Sequence, residues 1–183
     1  PLHRGPRHTS PGRLSATSDL SRIIAINSNL GDNIHDSFLY LTKREGPGSS
    51  IWGAETYIGG ANFHFNGGIA IAPDDETLLV ATTPHQPNYI ARPGPVSIQK
   101  YRLSEIDGNK IGPSHGQYVA TSPVSEILLD SDGKNAQLLT VNGELHTIDT
   151  VTMVESAVPI KGAPPRVDGF SVGQAPTLYF HAS

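Results

Sequence analysis

The chain alternates between short apolar runs and short polar turns, and one arrangement returns four times along it. Each unit opens with a run of small apolar residues, passes through a polar turn, and enters a run rich in β-branched residues. Such runs, bounded by Gly, Pro, Asp or Ser, are typical of strands rather than helices. The four segments are 12–27, 69–82, 125–141 and 169–181. The pattern therefore predicts an all-β chain of repeated antiparallel units.

The spacing of the turns gives the length of the repeat. The turns of the first three units hold Asp19, Asp74 and Asp132, which lie 55 and 58 residues apart. The fourth turn, at 173–176, lacks the acid and follows about 42 residues later. Roughly 40–45 residues suffice for four short strands and their turns. The two longer intervals therefore predict loop insertions.

Two further strands are predicted in each of the first three units. The third strands are 38–41, 96–101 and 145–148, and the fourth strands lie near 54–58, 117–120 and 153–160. Third strands alternate in polarity, so Lys100 and His146 on them are expected nearer the solvent. In the first two strands of each unit the β-branched runs predict buried positions. These are Ile69, Ile71, Leu78, Val80, Leu128, Leu139 and Val141.

The most specific signal lies in 142–169. Asn142 and Gly143 stand between apolar runs, where Asn-Gly predicts a two-residue type I′ hairpin turn, because both central positions need positive φ. An Ile-Asp-Thr triplet at 148–150, a Val-rich run and a Gly-Ala-Pro-Pro segment follow. In this order the segment resembles a YVTN-type β-propeller repeat, and 69–83 resembles the inner strands of the same WD40-like family.

The resemblance implies a partial β-propeller. Its blades would be approximately 12–60, 61–122, 123–164 and a partial blade at 165–183, preceded by an arm or loop at 1–11. That is about three and a half four-stranded blades of an expected seven-bladed ring. Because an open ring leaves strand edges and blade faces exposed, a second copy or another polypeptide is expected to complete it. The resemblance also implies an extracytoplasmic location, either periplasmic or secreted.

The composition argues against several classes of function. The net charge of −4 argues against a nucleic-acid partner, which would need a clustered basic face. The chain has no cysteine, which excludes disulfides, thiolate metal ligands and a Cys nucleophile. Its apolar runs are far shorter than the roughly 20 residues of a membrane-spanning helix.

Candidate site residues fall in the loops that would open on one face of a propeller, at 28–36, 59–68, 84–95 and 161–168. The predicted ligand-binding residues are His35, Asp36, His64, His85, Tyr89 and Arg92. The three histidines are also candidate ligands for a transition metal, since imidazole commonly binds such metals. The alternative is that they are solvated loop histidines, because their spacing matches no known metal motif.

Two further signals are weaker. Calcium is a candidate at 32–33 and 107–109, although neither segment has the full pattern of alternating ligands and a closing acid, and both are better explained as turns. The turn acids Asp19, Asp74, Asp75 and Asp132 are expected to bond to their own turns.

The sequence leaves two functions open. The first is a binding or scaffolding module that presents a loop face to a ligand or protein. The second is a segment of an extracytoplasmic propeller enzyme, a metal-dependent oxidoreductase or a lactonase-like enzyme, with His35, His64 and His85 at the axial mouth. Fold alone does not decide between them.

Overall fold

The structure of the chain is a computed structural model. It describes residues 11–27, 38–46, 49–51, 53, 56–58, 63–84, 97–108, 110–122, 124–140, 142–162, 169–172 and 178–181. Within these residues the chain consists of strands, turns and one 3-10 turn, Leu103–Glu105, so the all-β prediction is confirmed. No described helix is long and apolar enough to cross a bilayer.

Four antiparallel sheets follow one another along the chain, and none of them closes on itself within the described residues. The strands of the first sheet are β1 (Pro11–Ala16), β2 (Arg22–Asn27), β3 (Phe38–Lys43) and β4 (Thr56–Ile58). The strands of the second sheet are β5 (Phe63–Ile71), β6 (Thr77–Pro84), β7 (Ser97–Arg102) and β8 (Gln117–Val119). Each of these sheets is a meander in which every strand pairs with the next in sequence.

The third sheet has the same order, with an outermost strand in two pieces. Its strands are β9 (Val124–Leu129), β10 (Asn135–Thr140), β11 (Glu144–Asp149), β12 (Val154–Glu155) and β13 (Ile160–Lys161), the last two both pairing with β11. The predicted continuous strand 153–160 is therefore wrong. Met153 has a positive φ of 57°, and Pro159, which cannot donate to a ladder, lies in the interruption.

The fourth sheet is a hairpin of β14 (Gly169–Val172) and β15 (Leu178–His181). In the first three sheets, the first strand is an edge strand, hydrogen-bonded within its sheet on one side only. The first strands nevertheless lie next to one another in order: β5 contacts both β1 and β9, and β14 contacts β9. The sheets therefore follow one another in chain order, with their first strands side by side.

Adjacent sheets pack face to face, and each sheet has one face toward the preceding sheet and one toward the following sheet. We call the face that meets the following sheet the forward face and the face that meets the preceding sheet the backward face. The forward face of the first sheet (Ile24 and Leu41) meets the backward face of the second (Ile69, Leu78 and Val80). The forward face of the second sheet (Leu79, Ala81 and Ile98) meets the backward face of the third (Ala136, Leu138 and Ile148). Because side chains alternate along a strand, both faces of the second sheet are buried apolar surfaces.

The burial predictions are confirmed at four positions and not at two others. Ile69, Leu78, Val80 and Leu139 are buried, as predicted. The first three lie between the first and second sheets. Ile71 and Leu128 are only half-buried. Both lie on first strands, which are paired on one side only and border an open groove. Val141 lies outside the described residues.

The hairpin between β10 and β11 has a longer loop than predicted. Leu139 pairs with Leu145, and the next pair is closed by Thr140, whose hydroxyl accepts from the Glu144 N–H and donates to its carbonyl oxygen. This register leaves three residues in the loop, not two. The Gly143 N–H donates to the Thr140 carbonyl oxygen at 3.0 Å, and Gly143 has φ 75°. The glycine therefore fills the left-handed position of a three-residue loop.

Candidate functional site

Most of the predicted ligand-binding residues lie outside the described residues. These are His35, Asp36, His85, Tyr89 and Arg92. The backbone of His64 is described: it pairs with Thr83 in the ladder between β5 and β6, so the residue belongs to a strand and not to the predicted loop. Its side chain lies outside the described part of the structure, as do those of Phe63 and Phe65. The histidine metal site and the ligand-binding loop face therefore remain predictions.

An open groove runs along the first strands of the first three sheets. Its volume is about 620 Å³, within the range of roughly 300–1,000 Å³ usual for ligand pockets. The groove is lined by Leu14 and Ser15 on β1, residues 69–71 on β5, residues 126–129 on β9, and the adjoining turn residues Pro73, Asp130 and Ser131. Each of these strands is an edge strand of its sheet, paired on one side only. The groove thus offers apolar side chains and strand-edge peptide groups together.

Residues with small side chains allow β1, β5 and β9 to approach one another closely. The Ser15 hydroxyl accepts a hydrogen bond from the Ile71 N–H at 2.9 Å, joining β1 to β5. Gly68 brings β5 against β9 so closely that a Cβ there would lie 2.7 Å from the Ile127 nitrogen. Gly133, with φ 71°, similarly admits the ring of Pro73. The width of the groove is therefore set by backbone approaches that larger residues would prevent.

Asp19, Asp74 and Asp132 bond to their own turns, as the sequence predicts. The prediction is wrong for Asp75, whose carboxylate accepts hydrogen bonds from the N–H, at 2.6 Å, and the hydroxyl of Ser18 in the turn between β1 and β2. Asp74 Oδ1 accepts hydrogen bonds from the backbone of Thr77 at 2.7 Å and of Glu76 at 2.9 Å. Partial burial alone would raise the pKa of Asp74, but these hydrogen bonds outweigh it and lower the pKa. The backbone N–H and the hydroxyl of Ser21 lower the pKa of Asp19 to about 2. These carboxylates serve the turns and are not poised as acids or bases at neutral pH.

A second group of polar residues lies between the second and third sheets. His146 on β11 is 3% exposed, and its Nδ1 lies 2.7 Å from Glu155 Oε1 on β12 and 3.2 Å from the hydroxyl of Tyr118 on β8. Its Nε2 is buried without a hydrogen-bond partner, 3.6 Å from Glu144 Oε2. Lys161 Nζ lies 3.8 Å from the other oxygen of Glu144.

This group, which we call the His146 cluster (Tyr118, Glu144, His146, Glu155 and Lys161), corrects the prediction that His146 lies nearer the solvent. His146 is on the backward face of the third sheet, cross-strand from Leu138, and therefore faces the second sheet. Burial, and then the negative charges of Glu155 and Glu144, raises the pKa of the Tyr118 phenol. The cluster joins two sheets, and it borders none of the groove. Its contacts tie the second and third sheets together.

Lys100 makes a second polar connection between the same sheets. Its Nζ donates to the carbonyl oxygens of Thr150 at 2.9 Å and Val151 at 3.1 Å, in the turn after β11. Lys100 is half-buried, so it too lies at the interface rather than toward solvent as predicted. One feature of the sequence marks these two residues: each lies two positions from an isoleucine on the same strand face, Ile98 for Lys100 and Ile148 for His146.

The second sheet also encloses a row of neutral polar residues. Gln99 is 2% exposed, and its Nε2 donates to Ser97 Oγ at 3.2 Å and to Gln117 Oε1 at 3.0 Å. Its Oε1 accepts from the Ser114 hydroxyl at 2.6 Å. Both ends of the Gln99 amide are bonded to protein groups, so this residue stabilises the strand pairing.

Metal chemistry finds no support in the described part of the chain. No group of three or more His, Asp or Glu side chains there is arranged to hold a metal ion. The segment 107–108 of the proposed calcium sequence forms a bridged turn, in which Asp107 and Lys110 exchange backbone hydrogen bonds. No protein-family model matches this sequence, and no curated protein is similar to it.

Proposed function

We propose that this chain is a β-propeller segment that acts as a binding or scaffolding module. The observation that carries the proposal is the groove of about 620 Å³ between β1, β5 and β9. In a propeller the first strand of every blade lines the axis, and blades pack face to face around it. The order of the first strands and the fixed direction of sheet packing both support this arrangement.

The chemistry of the groove favours an extended polypeptide as its ligand. Among the apolar residues that line the groove, Leu14 is 66% exposed, and Ile71 and Leu128 are half-buried. Strand edges recognise extended peptides through main-chain hydrogen bonds, while pockets between side chains select alternate residues. The proposed ligand is therefore a peptide segment with small or aliphatic side chains. The loop face predicted from His35, His64 and His85 would lie at the other end of the axis.

The enzymatic alternative rests on those three histidines, whose side chains lie outside the described residues. Among the described groups, Asp19 and Asp74 stabilise turns, and Lys100 and His146 join the second and third sheets. A propeller module also needs a partner that completes its ring, either a second copy or another polypeptide. An extracytoplasmic location remains part of the proposal.

The test is peptide selection with a blocked groove. Random peptides of about seven residues, somewhat longer than a typical strand, would be displayed on phage and panned on the protein. We expect enriched peptides to bind the wild type and to bind Ser131→Trp at least tenfold more weakly, because the indole fills the groove from an exposed turn. Val158→Trp, at a position 88% exposed and outside the groove, is the matched control. Absence of enrichment, or equal binding to both variants, would contradict the proposal.

A further inference from the structure

Three turns lie side by side where the groove ends. The turn after β1 contacts the turn after β5, since Ser18 donates its N–H, at 2.6 Å, and its hydroxyl to the carboxylate of Asp75. The turn after β9 also contacts the turn after β5, because a Cβ on Gly133 would lie 2.9 Å from Cδ of Pro73. Pro73 lines the groove together with Asp130 and Ser131 of the turn after β9. We call the surface formed by 17–21, 72–76 and 130–134 the turn face.

The turn face concentrates negative charge. Its three segments hold six carboxylates and one lysine, a net charge of −5, whereas the whole chain has a net charge of −4. The rest of the chain is therefore nearly balanced, at +1. The single lysine, Lys134, is paired with Asp132 at 2.7 Å and offsets one of these charges. The six acids are Asp19, Asp74, Asp75, Glu76, Asp130 and Asp132.

Hydrogen bonding does not remove this charge. The backbone N–H and the hydroxyl of Ser21 lower the pKa of Asp19 to about 2, so its carboxylate is ionised at neutral pH. Asp130 accepts hydrogen bonds from the backbone N–H of Asn135 at 3.1 Å and from its side-chain amide at 2.9 Å. These donors are neutral, so they bind the oxygens without offsetting the negative charge. The turn face therefore keeps a field that attracts cations.

The adjoining groove adds apolar surface and no positive charge. Its charged lining residues are Glu126 and Asp130, and no Lys, Arg or His is present among the described residues that line it. Most of the other lining residues are aliphatic, and Leu14, Ile71 and Leu128 among them are at least partly accessible. Clefts lined by charge of one sign focus the field and raise the local concentration of ligands of the opposite sign.

From the acidic turn face and the apolar groove together we infer that the groove selects a cationic peptide. Aliphatic side chains of the peptide occupy the groove, and adjacent Lys or Arg side chains lie over the turn face. Charge complementarity of this kind favours one partner and repels others, since an acidic peptide would bring like charges against Asp130 and Asp75. The inference rests on the proposed function and deepens it, because it names the class of peptide.

The test is a competition within one peptide library. About seven randomised residues, slightly more than a typical strand, are displayed on phage with a pair of Lys, Ser or Glu residues at either end, in equal numbers. Clones enriched on the wild type at low salt should carry Lys at least tenfold more often than Glu, with Ser between them. In about 1 M salt, where the Debye length is about 3 Å, this preference should fall at least threefold. Equal recovery of the three classes would overturn the inference, and so would a preference for Ser or Glu.

The variant Ser131→Lys tests where the preference arises. Ser131 is exposed where the groove meets the turn face, and a lysine there should reduce the excess of Lys clones at least fivefold. Ser131→Gln controls for the longer side chain, and Val158→Lys, outside the turn face, controls for the change in net charge, so both should keep the preference. Asp132→Asn is a second turn-face variant if circular dichroism shows that Ser131→Lys does not fold. An equal effect of Ser131→Lys and Val158→Lys would contradict the inference.

The inference and the proposed function fail separately. Enrichment of peptides that Ser131→Trp blocks, without a preference for Lys, would refute the cationic ligand and leave groove binding intact. A preference for Lys that Ser131→Trp leaves unchanged would place the peptides on the acidic surface alone, which would refute binding in the groove and the inference with it. Absence of any enrichment would refute both.

Discussion

At the scale of single residues, the His146 cluster depends on charge and burial together. Alternation predicted correctly that the third strands carry polar residues, but it assigned His146 and Lys100 to the solvent side. The sequence could not show that a neighbouring sheet covers this face, because that depends on packing between residues about 28 positions apart, such as Tyr118 and His146. By contrast, the roles of Asp19 and Asp74 were predictable, because an Asp in a turn bonds to neighbours within a few positions.

Removing His146 should destabilise the protein. We expect His146→Leu to lower the free energy of unfolding by about 1–3 kcal/mol, because Glu155 and the Tyr118 hydroxyl lose a buried partner. Urea unfolding monitored by circular dichroism measures the change. A matched control is Lys134→Ala, which breaks an ion pair with Asp132 whose two side chains are 73% and 53% exposed. It should change stability by about 0.5 kcal/mol or less. Equal effects of the two variants would show that the cluster contributes nothing.

Tyr101 makes stability sensitive to alkali. Burial raises the pKa of its phenol to about 12, against an ordinary value of 10.0. The folded state therefore retains a proton that the unfolded state loses, so the contribution is fully present below pH 10 and is lost as pH rises toward 12. Over that interval we expect the wild type to lose roughly 2–3 kcal/mol more than Tyr101→Phe, by the linkage between pKa and stability. Parallel urea midpoints at pH 9 and pH 12 would reveal the difference, and identical losses would rule it out.

At the scale of strands and turns, the sequence predicted the existence of the hairpins better than it predicted their loop lengths and strand boundaries. Each first-to-second-strand hairpin was predictable from an acidic or Gly-containing turn between two apolar runs. The β10–β11 loop was not, because an Asn-Gly pair fits both a two-residue turn and the end of a three-residue loop, and cross-strand register decides between them. The extension of β5 back to Phe63 was also unforeseen, since 59–68 is rich in Gly and Asn.

Gly68 tests the close approach of β5 to β9. A Cβ at this position would lie 2.5 Å from Ile127 Cγ1 and 2.9 Å from the Glu126 carbonyl carbon. Gly68→Ala should therefore cost about 1–3 kcal/mol, since the backbone of β9 must shift to admit it. Gly46→Ala is the control, because nothing lies within 4 Å of the added Cβ. Thermal melts of the two variants should separate clearly, and a Gly68→Ala protein as stable as the control would show that the strands are not so close.

At the scale of the whole molecule, the sequence predicted the all-β class and the succession of antiparallel units. It predicted the sheet partners because strands adjacent in sequence pair with each other, so the pattern is local. It could not predict the groove, which forms where three strands from distant parts of the chain meet through Ser15, Gly68 and Gly133. Small residues of this kind add nothing to the hydrophobic pattern of the sequence. Their effect on the groove becomes visible only when the neighbouring strand or turn that lies against them is known.

The fixed direction of sheet packing also governs how stability is distributed. Each sheet forms from neighbouring residues and touches chiefly the sheets before and after it, so the molecule behaves as a short one-dimensional array with nearest-neighbour coupling. The second sheet has a neighbour on both sides, and its β6 holds Leu78, Leu79, Val80 and Ala81 at 0% exposure. The first sheet has only one neighbouring sheet among the described residues, so we expect it to open before the second. A ligand bound in the groove would contact three sheets at once, and it would convert this graded opening into a single cooperative event.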